Sequence, residues 1–195
     1  DATTLSATVN EGLSFTVSGS ATSTIIGNLT NTVGSTPNEC SFGTVAPGTQ
    51  YICTQQLDID TNAPNGYLVY VAQSANMNDG SGNEIAQYTN GTRTDDSAAT
   101  QWTPPAGGST STAGHLGYTS DDTDVFAFGN DYFAGIPTVP TSANGPDTTG
   151  LLLSAAAATT GNGDTQYASF SLEVSAQQPA GTYTNQVTYI VTTRY

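Results

Sequence analysis

The sequence predicts an all-β protein, an antiparallel two-sheet β-sandwich with long decorated loops. Three observations carry that prediction. Charged residues are only 9% of the 195, against about 25% in ordinary soluble domains, so Thr, Ser, Asn, Gln and Gly do the solubilising. Thr, Tyr and Val are abundant, and such side chains pack well on a pleated surface, whereas the Ala/Leu/Glu/Lys mixtures that helices prefer are scarce. Short apolar alternations separated by turn residues recur along the chain, the pattern of two packed sheets. At this length one domain can bury a sizeable core.

The clearest alternation opens the chain. Leu5, Ala7, Val9, Leu13, Phe15 and Val17 fall on odd positions and polar residues on the even ones, the period of a half-buried strand. Glu11-Gly12 interrupts the row with a charge and a residue that permits a bend. Two strands are therefore expected, 3–10 and 13–18, separable at a hinge made of Glu11 and Gly12. Further strands are expected at 23–30 and 50–59, with a Pro47-Gly48 turn between them. Asn65-Gly66 should turn the chain into a central strand from Tyr67 to Ala72, apolar on both faces and covered on both sides.

Residues 74–124 are rich in Gly, Ser, Thr, Asn and Asp and read as decorated loops carrying short strands, because a structureless loop of that length is improbable. Strands resume at "VFAFG" (125–129) and "GLLLSAAAA" (150–158), the latter with a short helix as its alternative. In "YASFSLEVSA", Ala168, Phe170, Leu172, Val174 and Ala176 point one way, and Tyr167, Ser169, Ser171, Glu173 and Ser175 the other. A turn at "QQPAG" precedes a closing strand. The expected organisation is a donor-like strand over 1–11, then a single sandwich over 12–195 with a loop-rich insertion at about 74–150.

Charge narrows the function classes. Sixteen acids face two arginines, Arg93 and Arg194, with no lysine, for a formal charge of −14. Nucleic acid and anionic lipid both require cationic contacts, so the charge argues against either as a partner. Without lysine there is no Schiff base, no P-loop lysine and no Lys–Asn isopeptide link. The longest apolar run, "LLLSAAAA", is far shorter than the ~20 residues of a membrane span, so no membrane insertion is expected. With no secretion signal before Asp1, the chain is expected to be a processed, mature one. Cys40 and Cys53, with one histidine, cannot complete a structural zinc site. They read as a disulfide, with two buried free thiols as the alternative, and a disulfide places the protein in an oxidising compartment.

Catalytic chemistry is sparse. His115 has no acidic sequence neighbour and no nucleophile elbow accompanies it. The four glutamates, Glu11, Glu39, Glu84 and Glu173, show no spacing of glycosidase type, so no enzyme is expected. No cofactor is expected either, apart from calcium. Asp79, Ser81, Asn83 and Glu84 in one Gly-rich loop, and Asp121, Asp122 and Asp124 in another, supply the hard oxygens that Ca²⁺ uses; turn formation and solvation are the plainer reading of both. Asn28 and Asn90 begin glycosylation tripeptides. Trp102, Tyr88, Tyr118 and Tyr132 are the residues that would make a sugar-stacking platform, if they are not simply packing.

The two ends carry the strongest functional signal. Natural sheets guard edge strands with lysine, proline or bulges, yet Thr182–Thr193 contains no lysine, proline or glycine. Val187, Tyr189 and Val191 in it form a candidate acceptor edge. Residues 3–10, apolar on one face and hinged, could complete the sheet of a neighbouring copy by strand addition. Such a head-to-tail contact does not close on itself and builds an open filament.

"PAGTYTNQVTYIV" (179–191), "ATVNEGLSFTVSG" (7–19) and "SFGTVAPGT" (41–49) together resemble secreted fimbrial-type sandwiches such as the spore coat protein U family. The plan is similar to that of bacterial and archaeal surface threads that polymerise by donor-strand complementation. The resemblance implies an immunoglobulin-like or jelly-roll sandwich, strand exchange, and Leu5, Ala7 and Val9 as the inserted side chains. The expected function is thus a structural subunit of an extracellular filament on the cell surface, a homopolymer with glycans or other cell surfaces as further partners. The alternative is a secreted carbohydrate-binding or adhesive domain.

Overall fold

The computed structural model describes residues 6, 9–88, 100–107, 113–122, 132–138 and 163–194, and the backbone of 151–155. They form fifteen strands and no helix, so no helix among them is long and apolar enough to cross a membrane. In chain order these are β1 (Leu13–Gly19), β2 (Ile25–Ile26), β3 (Leu29–Thr30), β4 (Ser35–Thr36), β5 (Glu39–Cys40), β6 (Tyr51–Thr61), β7 (Tyr67–Gln73) and β8 (Met77–Asn78). There follow β9 (Glu84–Gln87), β10 (Thr100–Gln101), β11 (Gly114–Ser120), β12 (Tyr132–Gly135), β13 (Leu151–Ala155), β14 (Asp164–Val174) and β15 (Val187–Thr193).

The larger sheet runs β1-β6-β14-β11-β12-β10 and curls into a half-barrel. β9 joins it parallel to β11, and β8 pairs with β9. The smaller sheet runs β13-β7-β15. All strand pairs except β9–β11 are antiparallel. One core takes buried side chains from both sheets: Leu57, Ile59, Tyr118, Phe170 and Leu172 from the larger, Tyr67, Val69 and Val71 from the smaller. Burying each such side chain contributes roughly 1.5–3 kcal/mol relative to leaving it in water.

Several expectations meet the structure directly. β7 is the central strand of its sheet, as its two apolar faces require. The Pro47-Gly48 turn closes with a Thr49 N–H bond to the Ala46 carbonyl at 3.3 Å. Residues 151–155 are strand, with no helix. Cys40 and Cys53 are disulfide-bonded. The expected strand at 23–30 is instead split into the β2–β3 hairpin, because Gly27 takes a positive φ of 56° that turns the chain back.

Other expectations are corrected. Of the predicted strand 3–10, the described residues Ser6, Val9 and Asn10 lie outside any strand and are exposed; its other residues, Leu5 and Ala7 among them, and the predicted strand 125–129 lie outside the described residues. Within 74–150, expected to be loops carrying short strands, β11 pairs with β14 along its whole length and sits inside the larger sheet. The polar row of β14 does not face solvent. Ser169, Ser171 and Glu173 are buried, because partners come down onto that face: Thr54 Oγ1 meets Ser169 Oγ at 2.8 Å and Gln50 Nε2 donates to Ser171 Oγ at 2.9 Å.

Candidate assembly edge

β15 is an edge strand whose hydrogen bonding has a clear parity. The Ser74 N–H donates to the Gln186 carbonyl at 2.8 Å, and the Arg194 N–H to the Gly66 carbonyl at 2.9 Å. Thr184 and Asn78 exchange both bonds, at 3.0 and 3.1 Å. Even-numbered residues from 186 to 194 therefore turn their backbone groups toward β7, and Thr184 turns its own toward Asn78 of β8. In an antiparallel ladder the intervening residues turn theirs away, so Val187, Tyr189, Val191 and Thr193 present N–H and C=O on the outer edge. Among the described residues, no strand pairs there.

The same residues carry the apolar side of the edge. Side chains alternate along a strand, and Val187, Tyr189 and Val191 pack half-buried against the main core. Tyr189 is the best anchored. Its ring meets Phe15 of β1 edge-on, with centroids 6.2 Å apart, and its hydroxyl donates to Gln55 Oε1 at 2.8 Å. Burial of that hydroxyl pushes its pKa well above the usual 10, so it remains a donor. β1, the edge of the larger sheet, thus lies beside β15, the edge of the smaller one.

The hinge is a clamp. The Asn62 side chain accepts from the Gly12 N–H at 2.7 Å and donates to the Asn10 carbonyl at 2.8 Å. Thr61 Oγ1 adds a 2.9 Å bond to the Gly12 carbonyl. Glu11 is exposed and outside any strand. Ahead of the clamp Val9 is 84% exposed, an aliphatic side chain without cover. Asn62 and Gln55 carried no sequence signal, since each acts on residues dozens of positions away.

The other candidate sites fall elsewhere. Asp79 closes its own loop: Oδ2 accepts from Asn83 Nδ2 at 2.6 Å and Oδ1 from the Ser81 N–H at 2.8 Å. The Asn83 side-chain bond, ahead of the others, holds its carboxyl below the usual range. Glu84 Oε2 accepts from Asn76. Asp121 Oδ1 accepts from the Tyr167 N–H at 2.7 Å, while burial pushes its pKa up. Asp122 is buried beside it; Asp124 lies outside the described residues. No group of three or more His, Cys, Asp or Glu among the described residues could hold a metal ion. Asn28 is exposed in the β2–β3 turn, and Asn90 lies outside the described residues.

The four aromatic residues do not make one exposed platform. Tyr118 and Tyr88 are 0% and 1% exposed, Tyr118 in the main core and Tyr88 in a second cluster with Phe133, Leu29 and Ile52. Trp102 stacks on Tyr88 at 4.8 Å and donates its Nε1–H to Glu173 Oε2 at 2.8 Å. Gly117 leaves room for it, since a Cβ there would lie 3.1 Å from the indole. Tyr88 and Tyr118 are thus used for packing, while Trp102 and Tyr132 are half-buried at the margins of the two clusters.

His115 belongs to this cluster. It sits on β11 rather than in a loop, edge-on to Trp102 at 4.8 Å, and its Nε2–H donates to the Thr103 carbonyl at 2.8 Å. Burial pulls its pKa below 6.5, more than the Thr103 bond and the Glu173 charge raise it. A base whose folded pKa is depressed contributes stability that is whole above the unfolded value and is lost as pH falls below it. Urea stability, read by the fluorescence of Trp102, is therefore expected to fall as the pH drops below about 6.5. A His115→Gln variant is expected to lose that component, and superimposable profiles would disprove it.

No protein-family model matches the chain, and no curated protein and no solved structure does.

Proposed function

We propose that the chain is a structural subunit of an extracellular filament, not an enzyme. It polymerises when the segment 3–10 of one copy adds to β15 of the next, on an immunoglobulin-like sandwich of the two sheets. The observation that carries this is the β15 edge itself. Its outward backbone groups are unpaired among the described residues, its core-facing side chains are half covered, and no lysine, proline or glycine guards it. An edge of this kind templates strand addition. The clamped hinge and the uncovered Val9 supply a donor, and a donor and acceptor at different places on one subunit give an open head-to-tail polymer. The disulfide and the near absence of basic residues support a place outside the cell.

The parity of β15 provides the test. Val191→Pro deletes an N–H that faces the outer edge and leaves the bonds to β7 in place, so it is expected to fold and to stop filament growth. Ile190→Pro deletes a bond to β7 and is expected to lower stability instead. Negative-stain microscopy and sedimentation of the two variants beside the parent chain read the difference. Filaments of ordinary length from Val191→Pro would rule the edge out.

A further inference from the structure

We infer that Ala7 of the donated segment lies opposite Tyr189 of the accepting copy, so that position 7 sets the register of the joint and limits side-chain size there. The inference rests on the filament reading and adds the seat of each inserted residue. Residues opposite each other across a β-ladder send their side chains to the same face. Partners of Val187, Tyr189 and Val191 must therefore point toward the core. A slip of one residue would place Thr4, Ser6 and Thr8 there instead, polar groups on an apolar surface. Only the odd row of the segment, Leu5, Ala7 and Val9, suits that face.

Side-chain volume then selects among the even slips. Between Val187 and Val191 the edge is filled by the Tyr189 ring, held by Phe15 and by its bond to Gln55. Two positions to either side stand Val187 and Val191, shorter and half-buried. The donated row has the complementary order: large, small, large. One register puts Ala7 against Tyr189 and Leu5 and Val9 over the two valines, whichever way the segment runs. Sliding by two residues forces Leu5 or Val9 against the tyrosine and leaves the other beside Asn185 or Thr193. The Asn62 bonds to Asn10 and Gly12 give the segment a fixed point of departure.

The test uses the full chain. Ala7→Trp is expected to raise the critical concentration for filament growth about tenfold or more, the cost of overpacking a filled site. Ala7→Gly, and Thr8→Trp on the opposite face, are expected to assemble as the parent does. Register is read from cysteine pairs that keep the tyrosine: chains carrying Val9→Cys with either Val187→Cys or Val191→Cys, according to the direction of the segment, are expected to form oxidant-dependent covalent ladders, as cross-strand spacing permits. Ladders from Val9→Cys with Asn185→Cys or Thr193→Cys in their place would overturn the register, as would Ala7→Trp filaments at the parent's concentration. A parent chain that forms no filaments would instead defeat the filament reading itself, so the two failures are distinguishable.

Discussion

A chain lacking residues 1–9 is expected to keep the stability of the parent and to form no filaments. The described residues of that segment, Ser6 and Val9, are exposed and outside the sheets. Deleting them removes no strand pairing described here, and Asn10 and Gly12 stay on Asn62. The donor, by contrast, is lost entirely. The effect on assembly is therefore all-or-none, whereas on the donated-strand reading, in which the segment packs on a neighbouring copy, the effect on unfolding of the single subunit is small. Urea titration and sedimentation measure the two separately. A free peptide of residues 1–10 is further expected to cap growing ends of the full-length chain by occupying β15. Filaments from the shortened chain would end the donated-strand account.

Removing the Cys40–Cys53 disulfide is expected to cost about 3 kcal/mol, the loop entropy released to the unfolded chain by a bridge of this span. Its sequence separation is 13. The bridge ties β5, at the end of a two-strand hairpin, to β6, which pairs with both β1 and β14. Cys53 is fully buried, and Phe42 and Val45 in the closed loop pack against the core. Loosening the loop therefore also frees apolar surface. For a domain of this size the loss corresponds to a melting point lower by roughly 6–12 °C. The Cys40→Ala/Cys53→Ala pair, and the parent in reductant, are both to be compared in urea; a midpoint unchanged in both would show that the bridge contributes nothing. β15 lies in the other sheet, so the assembly edge is expected to survive while the fold does.

Much of the fold was legible where neighbouring residues decide it. The odd-row alternation of Leu13, Phe15 and Val17 foretold β1, and the apolar run at 67–72 foretold a covered central strand. β11 was not legible. "GHLGYTS" alternates weakly and has two glycines, and it is a strand because β14 pairs with it from Gly114↔Val174 to Ser120↔Ala168. The burial of Glu173 was hidden for the same reason: its partner Trp102 is 71 positions away. At the candidate assembly edge, Val187, Tyr189 and Val191 could be chosen from the sequence, but their outward parity, the Phe15 contact and the Asn62 clamp could not.

The amino-acid order alone determined the class of the protein: a strand-built chain, turns at Pro47-Gly48 and Asn65-Gly66, and one disulfide. Each of these follows from short-range sterics, period-two patterning or simple counting. Only the tertiary structure decided which strands are edges, which polar rows are buried, and which backbone groups of β15 face outward. Those depend on contacts between distant segments, and hydrophobic burial, being non-directional, does not specify them in advance.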